Sequence, residues 1–393
     1  MSKHRIIVLG AGYVGVLLAG QLARRLRAEE ASVTLVSAHA TRDERMRWHQ
    51  LAAGQSYPEL PIADALKGSG VEFTVAHADR VDPERRLVHL DGGNTLGYDS
   101  LVVALGSVID DGTVPGAREH AHGLTDARSV SATADELAAL ADGERVTVIG
   151  GGLTGIELAT EIAESHPRLR VTITSTRPAG DWLSTAGRRE LTRAFDRLGI
   201  DQVVGRTARI EPDAVHLADG RILPSALTFW AGGFRANPLL EASGFEVDEV
   251  GRAVVDSTLH AVSHHDVWVV GDAARVPGRD GVPLKMGCRT GAFMALAAPR
   301  MIADELSGQA AKPFSARYFA ECISLGRRSA LLQWLTAEGT AKEQITAGRT
   351  ATLIKEFVHR GNLFVARHPG PYVPVRRAHV RVGSEGHREM IGA

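Results

Sequence analysis

The amino-acid sequence predicts an α/β fold in which one strand–turn–helix–strand unit occurs twice. Three observations lead to this prediction. Two turns have the pattern G-x-G-x-x-G, an apolar β-branched run comes directly before each turn, and a second β-rich run follows the helix after it. This is the order of segments in a βαβ unit that binds a dinucleotide. The sequence therefore predicts two Rossmann-like dinucleotide-binding domains.

The first unit begins with a strand over residues 5–9 and ends with a strand over residues 32–36. In its turn the first glycine allows a tight bend, the second lets backbone N–H groups approach a pyrophosphate, and the third lets the helix pack on the strand. The positive end of the helix dipole then faces the phosphates. The predicted cofactor contacts of this turn are Gly10, Gly12, Tyr13, Val14 and Gly15.

The second unit runs from a strand at residues 145–149 to a strand at residues 170–174. Its turn has glycines at the same spacing, so the same argument predicts a second dinucleotide site. The predicted contacts are Gly150, Gly152 and Gly155. The alternative interpretation is that both turns are glycine-rich strand–helix connections without a ligand.

Composition and charge exclude several classes of protein. The chain has 45 Lys and Arg residues against 46 Asp and Glu, so its net charge of −1 gives no electrostatic reason to expect nucleic acid as a partner. Its two cysteines, Cys288 and Cys322, are too few for a disulfide framework or an iron–sulfur site. No run of about 18 apolar residues occurs, and no signal peptide is visible. We expect a cytoplasmic protein without a transmembrane span.

Three further motifs accompany the glycine turns. Residues 101–107 are an apolar strand ending in A-x-G-S, residues 229–234 contain W-A-G-G, and residues 267–274 contain an apolar strand followed by Gly-Asp. Together the motifs resemble those of the FAD-dependent pyridine nucleotide-disulfide oxidoreductase superfamily, most of all type II NADH dehydrogenase and related NAD(P)H:quinone reductases. The resemblance covers about residues 4–330. It implies an FAD site in the first unit and an NADH or NADPH site in the second.

The resemblance also implies which residues contact each cofactor. Asp272 is implied to accept a hydrogen bond from a ribityl hydroxyl group of the flavin. The other implied FAD contacts are Ser37, Val81, Ala104, Gly106, Ser107, Gly271 and Met286, and the implied contacts of the nicotinamide cofactor beyond its glycine turn are Thr176, Arg177 and Gly232.

The order of the motifs predicts a discontinuous first domain. Because the Gly-Asp motif follows the second glycine unit, the resemblance implies an FAD-binding domain over residues 1–118 and 256–312. A NAD(P)H-binding domain over residues 119–255 is inserted into it, and each domain is expected to have three layers of the ββα type. Residues 313–393 are expected to form an α+β C-terminal region beside the flavin.

Two strand ends depart from the pattern of the resembling family. An acidic residue usually binds the adenosine ribose there, but this chain has Ser37 in the first unit and Ser175, Thr176 and Arg177 in the second. Hydroxyl groups and an arginine can receive a 2′-phosphate through charge-assisted hydrogen bonds, whereas a carboxylate would repel it. We therefore expect NADPH, or both nucleotides, with Arg177 as an ordinary solvated residue as the alternative.

The predicted electron acceptor follows from the cysteine pattern. Residues 40–60 contain no cysteine, which excludes disulfide reduction, so electrons must leave the flavin directly. This favours a quinone-like or other redox-active small molecule as the acceptor. Glu157 is the predicted catalytic residue, because the resembling family has a glutamate there that orients the nicotinamide or relays a proton to the reduced quinone. Stabilisation of the helix N-terminus is its alternative role.

Other functions stay open at this point. The alternatives are a reductase for a small iron–sulfur protein, a tailoring flavoenzyme acting on an organic metabolite, and a flavin-binding scaffold without turnover. The histidine clusters at residues 120–122 and 264–265 lack further ligands at a structural spacing, so we expect no metal site. Each cysteine is expected to be a small buried hydrophobe.

The C-terminal segment leaves membrane contact open. Residues 349–393 contain eight Lys and Arg against three Glu, a net charge of +5 that would suit peripheral contact with the inner face of a membrane. Pro369, Pro371 and Pro374 interrupt any helix between residues 367 and 376, and we expect no apolar stripe there. A soluble quinone or quinonoid metabolite therefore suits this tail better. The sequence predicts no oligomeric state.

Overall fold

A computed structural model describes residues 2–278 and 281–381 of the chain. Residues 382–393, the end of the basic segment, lie outside this description. The described chain has a mixed α/β fold with two largely parallel sheets.

The larger sheet has six strands, all parallel except one edge strand. From that edge inwards and across, its strands are His260–Ala261, His264–Val269, Ser100–Val103, His4–Leu9, Ala31–Ser37 and Val71–Val75. The central strands are rich in β-branched residues and almost fully buried, as parallel strands covered on both faces must be.

Two helices and a small antiparallel sheet share the hydrophobic core of this larger sheet. Helix Tyr13–Arg25 follows the first glycine turn and packs against helix Cys288–Leu306. The small sheet is a meander of strands Ala78–Asp82, Leu87–Leu90 and Thr95–Gly97.

The second sheet has five parallel strands. In spatial order they are His122–Gly123, Leu227–Trp230, Arg145–Ile149, Arg170–Ser175 and Asp201–Val204. Helix Leu153–Ser165 follows the second glycine turn, and its neighbours in this unit are helices Ala127–Ala139 and Thr185–Leu198. A second meander consists of strands Thr207–Glu211, Ala214–Leu217 and Ile222–Pro224.

Two short strands mark where the chain passes between the two sheets. Strand Ser107–Ile109 leaves the larger sheet and pairs antiparallel with strand Phe234–Ala236, which leaves the second sheet. The remaining short elements are strands Thr41–Arg42, Leu60–Pro61, Ala253–Val254 and Ala274–Arg275, α-helices Trp48–Ala52, Ile62–Leu66, Ala117–His120 and Leu239–Ala242, and 3₁₀-helices Arg45–Arg47, Asp91–Gly93 and Gly271–Ala273.

The C-terminal region consists of an antiparallel sheet and one long helix. Its strands are Ala320–Ser324, Ala330–Leu335 and Ala341–Ala347. Helix Gly348–Arg367 packs on this sheet and turns Ala351, Lys355 and His359 inwards, one residue per turn along one face. The helix ends at Arg367, directly before the segment in which the prolines were expected to prevent one.

Candidate functional site

The first glycine turn has the shape that close approach of a ligand requires. Gly10 has a φ of +98°, and a methyl group there would lie 2.6 Å from the carbonyl oxygen of Ala104. A methyl group at Gly15 would overlap the carbonyl oxygen of Gly10, so the helix and the strand meet without side chains between them. Around Gly12, by contrast, no described atom lies within 4 Å of where a Cβ would stand. The turn is thus closed on the protein side and open in front of Gly12.

The carboxylate of Asp272 is fixed by two donors beside this turn. The Ser107 hydroxyl group donates a hydrogen bond to Oδ2 at 2.8 Å, and the Gly287 N–H donates to Oδ1 at 2.6 Å. Each carboxylate oxygen keeps a second lone pair for a ligand hydroxyl group. Val14 lies against Gly271 and Gly291, so the first helix of the unit contacts both the Gly-Asp motif and the following helix.

Tyr13 anchors the loop that follows the second strand. Its hydroxyl group donates to Glu44 at 3.3 Å, and the guanidinium group of Arg42 lies 4.4 Å from its ring centre. Arg42 and Glu44 form a buried ion pair at 2.7 Å. Burial and the charge of Glu44 raise the pKa of the Tyr13 phenol, so the hydroxyl group stays neutral.

The remaining residues implied for FAD lie around the same edge or in the core. Ser37 ends the second strand, and its hydroxyl oxygen accepts a hydrogen bond from the His39 N–H at 3.3 Å. Val81 is buried in the core, and its N–H donates to Ser243 at 3.0 Å. Gly106 has a positive φ, and Met286 is half-buried one residue before Gly287.

The second glycine turn repeats the geometry of the first. Gly150 has a φ of +130°, and a methyl group there would overlap the Ala231 carbonyl group. A methyl group at Gly155 would overlap the carbonyl oxygen of Gly150, while no described atom lies within 4 Å of a Cβ built on Gly152. Gly232 is exposed beside this turn, and the ring of Trp230 lies 2.6 Å from where its Cβ would stand.

The strand end next to this turn is solvent-exposed. Thr176 is exposed, and the side chain of Arg177 is 79% exposed with its Nε 2.9 Å from Asp181. The Ser175 hydroxyl group donates to the Arg177 carbonyl oxygen at 2.8 Å, which fixes the backbone there but leaves the guanidinium group in water.

Glu157 is buried where three distant parts of the chain meet. Its Oε1 accepts hydrogen bonds from the Ser324 N–H at 2.9 Å and from the ammonium group of Lys355. Its Oε2 lies 3.8 Å from Nδ1 of His49. Ser324 ends the first C-terminal strand, Lys355 is on the C-terminal helix, and His49 is on helix Trp48–Ala52.

Opposing effects set the charge of this cluster. Burial alone would raise the pKa of Glu157, but the charge of Lys355, the neighbouring imidazole of His49 and the two hydrogen bonds outweigh it, so the pKa lies below its usual value. Burial lowers the pKa of His49 to about 4. Burial and the charges of Lys355 and Arg47 lower the pKa of His359 to about 4. At neutral pH the cluster therefore holds a carboxylate, an ammonium group and two neutral imidazoles.

Sequence reasoning missed Lys355, His49 and His359 as members of this cluster. His49 was considered only as part of a segment without cysteines. The i, i+4, i+8 spacing of Ala351, Lys355 and His359 could have indicated an inward helical face. Nothing in the sequence could have connected that face to Glu157, which lies 198 positions from Lys355.

The two cysteines differ from their expected burial. Cys288 is exposed at the first residue of its helix, and Cys322 is half-buried, so the expectation of two buried thiols was wrong. Cys288 directly follows Gly287, whose N–H holds the Asp272 carboxylate. Among the described residues, no group of three or more His, Cys, Asp or Glu could hold a metal ion.

Two largely parallel sheets, each with a glycine turn open in front of its second glycine, give the mixed α/β fold of a flavin- and nicotinamide-dependent oxidoreductase. The chain belongs to the pyridine nucleotide-disulphide oxidoreductase family, whose sequence profile matches residues 4–287. The predicted family is thus confirmed. Membership makes the protein an oxidoreductase and confirms the predicted use of FAD with a nicotinamide nucleotide.

Individual relatives span nearly the whole chain. An NADH dehydrogenase-like protein of Mycobacterium tuberculosis is 26% identical over 382 residues, which cover 92% of this chain and 94% of the relative. A type II NADH:quinone oxidoreductase of Staphylococcus haemolyticus is 28% identical over 350 residues, covering 80% of this chain and 85% of the relative. The solved structure of NDH2 from Plasmodium falciparum in complex with NADH has the same fold, with a TM-score of 0.78 and 13% identity over 93% of this chain and 98% of that one.

Proposed function

We propose that the protein oxidises NADH or NADPH and passes two electrons to a quinone-type acceptor. The observation that carries this proposal is the buried Glu157–Lys355 pair, which joins the helix after the second glycine turn to the C-terminal helix. The matched relatives include a type II NADH:quinone oxidoreductase, which supports the choice of acceptor.

The FAD site is proposed at the open edge of the larger sheet. The pyrophosphate would lie in front of Gly12 between Gly10, Tyr13, Val14 and Gly15, because that is where the backbone leaves space. Asp272, held by Ser107 and Gly287, would accept a hydrogen bond from the ribityl chain. The other proposed contacts are Ser37, Val81, Ala104, Gly106, Gly271 and Met286. Bound FAD supplies the hydride acceptor and the electron donor for the second substrate.

The nicotinamide nucleotide is proposed to bind at the second glycine turn. Gly150, Gly152 and Gly155 would hold its pyrophosphate, with Gly232 beside them, and Thr176 and Arg177 would face the adenosine ribose. Arg177 is free to turn towards a 2′-phosphate, because its pairing with Asp181 takes place in water and is weak.

The proposed domain organisation rests on which parts of the chain supply the strands of each sheet. The larger sheet takes strands from residues 4–103 and again from residues 260–269, whereas the strands of the second sheet all lie between residues 122 and 230. This supports an FAD-binding domain over 1–118 and 256–312, a nucleotide-binding domain over 119–255 inserted into it, and a C-terminal region over 313–393.

Glu157 and Lys355 are proposed to handle the protons of the reaction. Reducing a quinone to a hydroquinone takes two electrons and two protons, and a nicotinamide delivers only one hydride. The ammonium group of Lys355 can donate a proton to an acceptor oxygen, while Glu157 keeps it charged and in place.

Peripheral membrane contact is proposed for the C-terminal helix. Leu353 is 72% exposed, Phe357 78% and Phe364 57%, with Ile354 and Val358 also exposed on the same helix. This apolar face (Leu353, Ile354, Phe357, Val358 and Phe364) would lie in the headgroup region of a bilayer, next to the described arginines of the tail. It lies before the segment in which no apolar stripe was expected. Within the described residues, no helix is long and apolar enough to cross a membrane.

Anaerobic stopped-flow absorbance tests the proposed reaction. The purified yellow protein is mixed with NADH or NADPH, and the flavin band is followed before and after addition of the quinone menadione. We expect rapid bleaching by at least one nucleotide and recovery on adding quinone. Bleaching without recovery would contradict the quinone acceptor, and no bleaching would contradict nicotinamide oxidation altogether.

A further inference from the structure

Glu161 lies one helical turn beyond Glu157 and has an unusual environment. Its side chain is 0% exposed. Oε1 accepts hydrogen bonds from Gln55 at 2.5 Å and from Nε of Arg327 at 2.8 Å. Oε2 has no hydrogen-bond partner anywhere in the described parts of the chain. A buried carboxylate oxygen without a donor is costly, so this group is either protonated or held for a purpose beyond packing.

The same helix–helix contact holds two more buried polar atoms without partners. Helix Trp48–Ala52 packs on helix Leu153–Ser165, and Nε2 of His49 and Nε2 of His166 lack hydrogen-bond partners among the described residues. His49 also contacts Glu157 through its other ring nitrogen, and His166 interacts with the Ala53 backbone. Buried polar atoms thus line this helix–helix contact from Glu157 to the C-terminal end of helix Leu153–Ser165.

The charges around Glu161 favour its protonated form. Burial raises the pKa of Glu161, Arg327 opposes this, and the negative charges of Glu164 and Glu157 add to it, so that the pKa lies above its usual value. The Tyr57 hydroxyl group donates to Gln55, the residue whose amide group donates to Glu161. The pKa of Glu157 is shifted the opposite way. A proton is therefore held more readily at Glu161 than at Glu157.

The outer end of this arrangement reaches solvent. The side chain of Arg327 is 49% exposed, and Gln55 is half-buried. The Tyr57 hydroxyl group donates to Gln55 at 2.9 Å. Glu161 is therefore separated from water by one layer of polar side chains, and from Glu157 by one turn of helix.

We propose that Glu161 is a proton-relay residue that connects solvent to the Glu157–Lys355 pair. The inference rests on the proposed function, whose balance is NAD(P)H + H⁺ + quinone → NAD(P)⁺ + hydroquinone. The one proton that the nucleotide does not supply enters past Arg327 and Gln55, is held at Oε2 of Glu161, and moves one helical turn to Glu157, which accepts the hydrogen bond of Lys355 and so restores the proton given up there. Glu161 contacts neither cofactor nor substrate, so it acts through Glu157 and Lys355.

Two measurements on Glu161→Gln test this relay, with Glu164→Gln as the matched control. Glu164 lies on the same helix, accepts a hydrogen bond from the Arg327 N–H and lies 3.8 Å from the exposed Arg328, so E164Q removes a neighbouring charge but leaves the carboxyl group of Glu161 in place. In infrared titration of the oxidised holoenzyme, the wild type and E164Q should show a C=O band of a buried carboxyl group that persists to higher pH than the band of the exposed carboxyl groups, because the pKa of Glu161 is raised, and E161Q should lack it. In stopped flow, E161Q should bleach at the wild-type rate but recover with menadione about 10- to 100-fold more slowly, with a shifted pH profile and a larger solvent isotope effect.

The possible outcomes separate the relay from the proposed function. A wild type that bleaches but does not recover with quinone would overturn the proposed function and the relay with it. Three results would overturn the relay alone, provided that the wild type is bleached by a nucleotide and recovers with quinone. In the first, E161Q recovers as fast as the wild type; in the second, E164Q is slowed as much as E161Q. In the third, E161Q is slowed equally in bleaching and in recovery. Glu161→Asp, which keeps the ionisable group, should restore most of the recovery rate. If E161Q does not fold, Gln55→Leu takes its place and should slow recovery selectively; unchanged recovery would overturn the relay.

Discussion

At the residue scale, the proposed chemistry depends on Glu157, a buried carboxylate that its neighbours keep charged. Burial works against the ionised form of Glu157, and Lys355 is the strongest opposing influence. Removing one partner of a buried ion pair leaves an uncompensated charge, which costs far more than removing both. This asymmetry makes the pair open to a direct test.

Lys355→Met should slow menadione-driven flavin recovery at least about tenfold, because the proton donor is lost. It should also lower the free energy of unfolding by about 3–5 kcal/mol, because Glu157 stays buried and unpaired. Urea unfolding and stopped flow measure the two effects. In the double variant Lys355→Met with Glu157→Gln, stability should largely return while recovery stays slow. A double variant as unstable as the single one would contradict the ion pair.

Arg177→Glu should raise the KM for NADPH about 10- to 150-fold and leave that for NADH nearly unchanged, because one charge-assisted hydrogen bond to the 2′-phosphate contributes about 1.5–3 kcal/mol. Steady-state kinetics with both nucleotides measure this. Asp181→Asn serves as the control, since it removes the exposed pairing partner of Arg177 and should not weaken NADPH binding. Equal effects of Arg177→Glu on both nucleotides would remove the 2′-phosphate hypothesis.

Asp272→Ala should yield protein depleted in FAD, because the carboxylate that Ser107 and Gly287 hold in place is the proposed ribityl acceptor. The flavin-to-protein absorbance ratio of the purified protein measures occupancy. Asp272→Asn retains a carbonyl acceptor and should keep more flavin than the alanine variant. Full occupancy in Asp272→Ala would show that the ribityl chain binds elsewhere.

At the scale of elements, an ion pair between His260 and Glu305 connects edge strand His260–Ala261 of the larger sheet to helix Cys288–Leu306. Nε2 of His260 lies 2.8 Å from Glu305, and Nδ1 faces the His265 carbonyl oxygen. Both ring nitrogens thus face acceptors, which only the imidazolium form can satisfy. Burial would lower the pKa of His260, but Glu305, the His265 carbonyl group and Asp256 outweigh it and raise the pKa.

A raised folded-state pKa of a histidine stabilises the fold only while the group is protonated. The contribution of His260 should be fully present below about pH 6.5, the unfolded value, and should disappear as the pH rises through the higher folded-state pKa. Urea midpoints of the wild type and Glu305→Gln, measured across this range, should therefore differ most at low pH and converge at high pH. A constant difference would contradict the linkage. His49 and His359 titrate in both proteins and cancel in the comparison.

Elements that are encoded by a short stretch of residues could be predicted from the sequence, whereas a cluster whose residues lie far apart in the chain could not. The two glycine turns were predictable because the need for space at Gly12 and Gly152 and for contact at Gly15 and Gly155 is encoded within six residues. Glu157 was selected from its place in the motif. Lys355 and His49 reach it only through tertiary packing, and a lysine on an unpredicted helix has no sequence signal that distinguishes it from a surface lysine.

At the scale of the whole molecule, the C-terminal helix has one buried face and one exposed apolar face. Its inner face delivers Lys355 to Glu157, and Arg47 pairs with Glu356 at 3.0 Å beside it. Its outer face exposes Leu353, Phe357 and Phe364 to water. Large exposed apolar side chains that share one face of a helix are typical of an interaction surface. One helix would thus place the reacting groups next to the phase in which a lipid-soluble quinone dissolves.

Phe357→Asp should therefore reduce binding to vesicles of phosphatidylglycerol and phosphatidylcholine about tenfold or more, because burying a phenyl group contributes about 1.5–3 kcal/mol. Co-sedimentation measures the bound fraction. Val75→Asp is the matched control, since Val75 is an exposed apolar residue on edge strand Val71–Val75, outside the C-terminal helix, and should not affect binding. Turnover with water-soluble menadione should be unchanged in both variants, because neither residue touches Glu157 or Lys355. Equal loss of binding in both variants, or a wild type that does not bind vesicles, would contradict membrane contact through this helix. Neither result would bear on the proposed roles of Lys355 and Glu157.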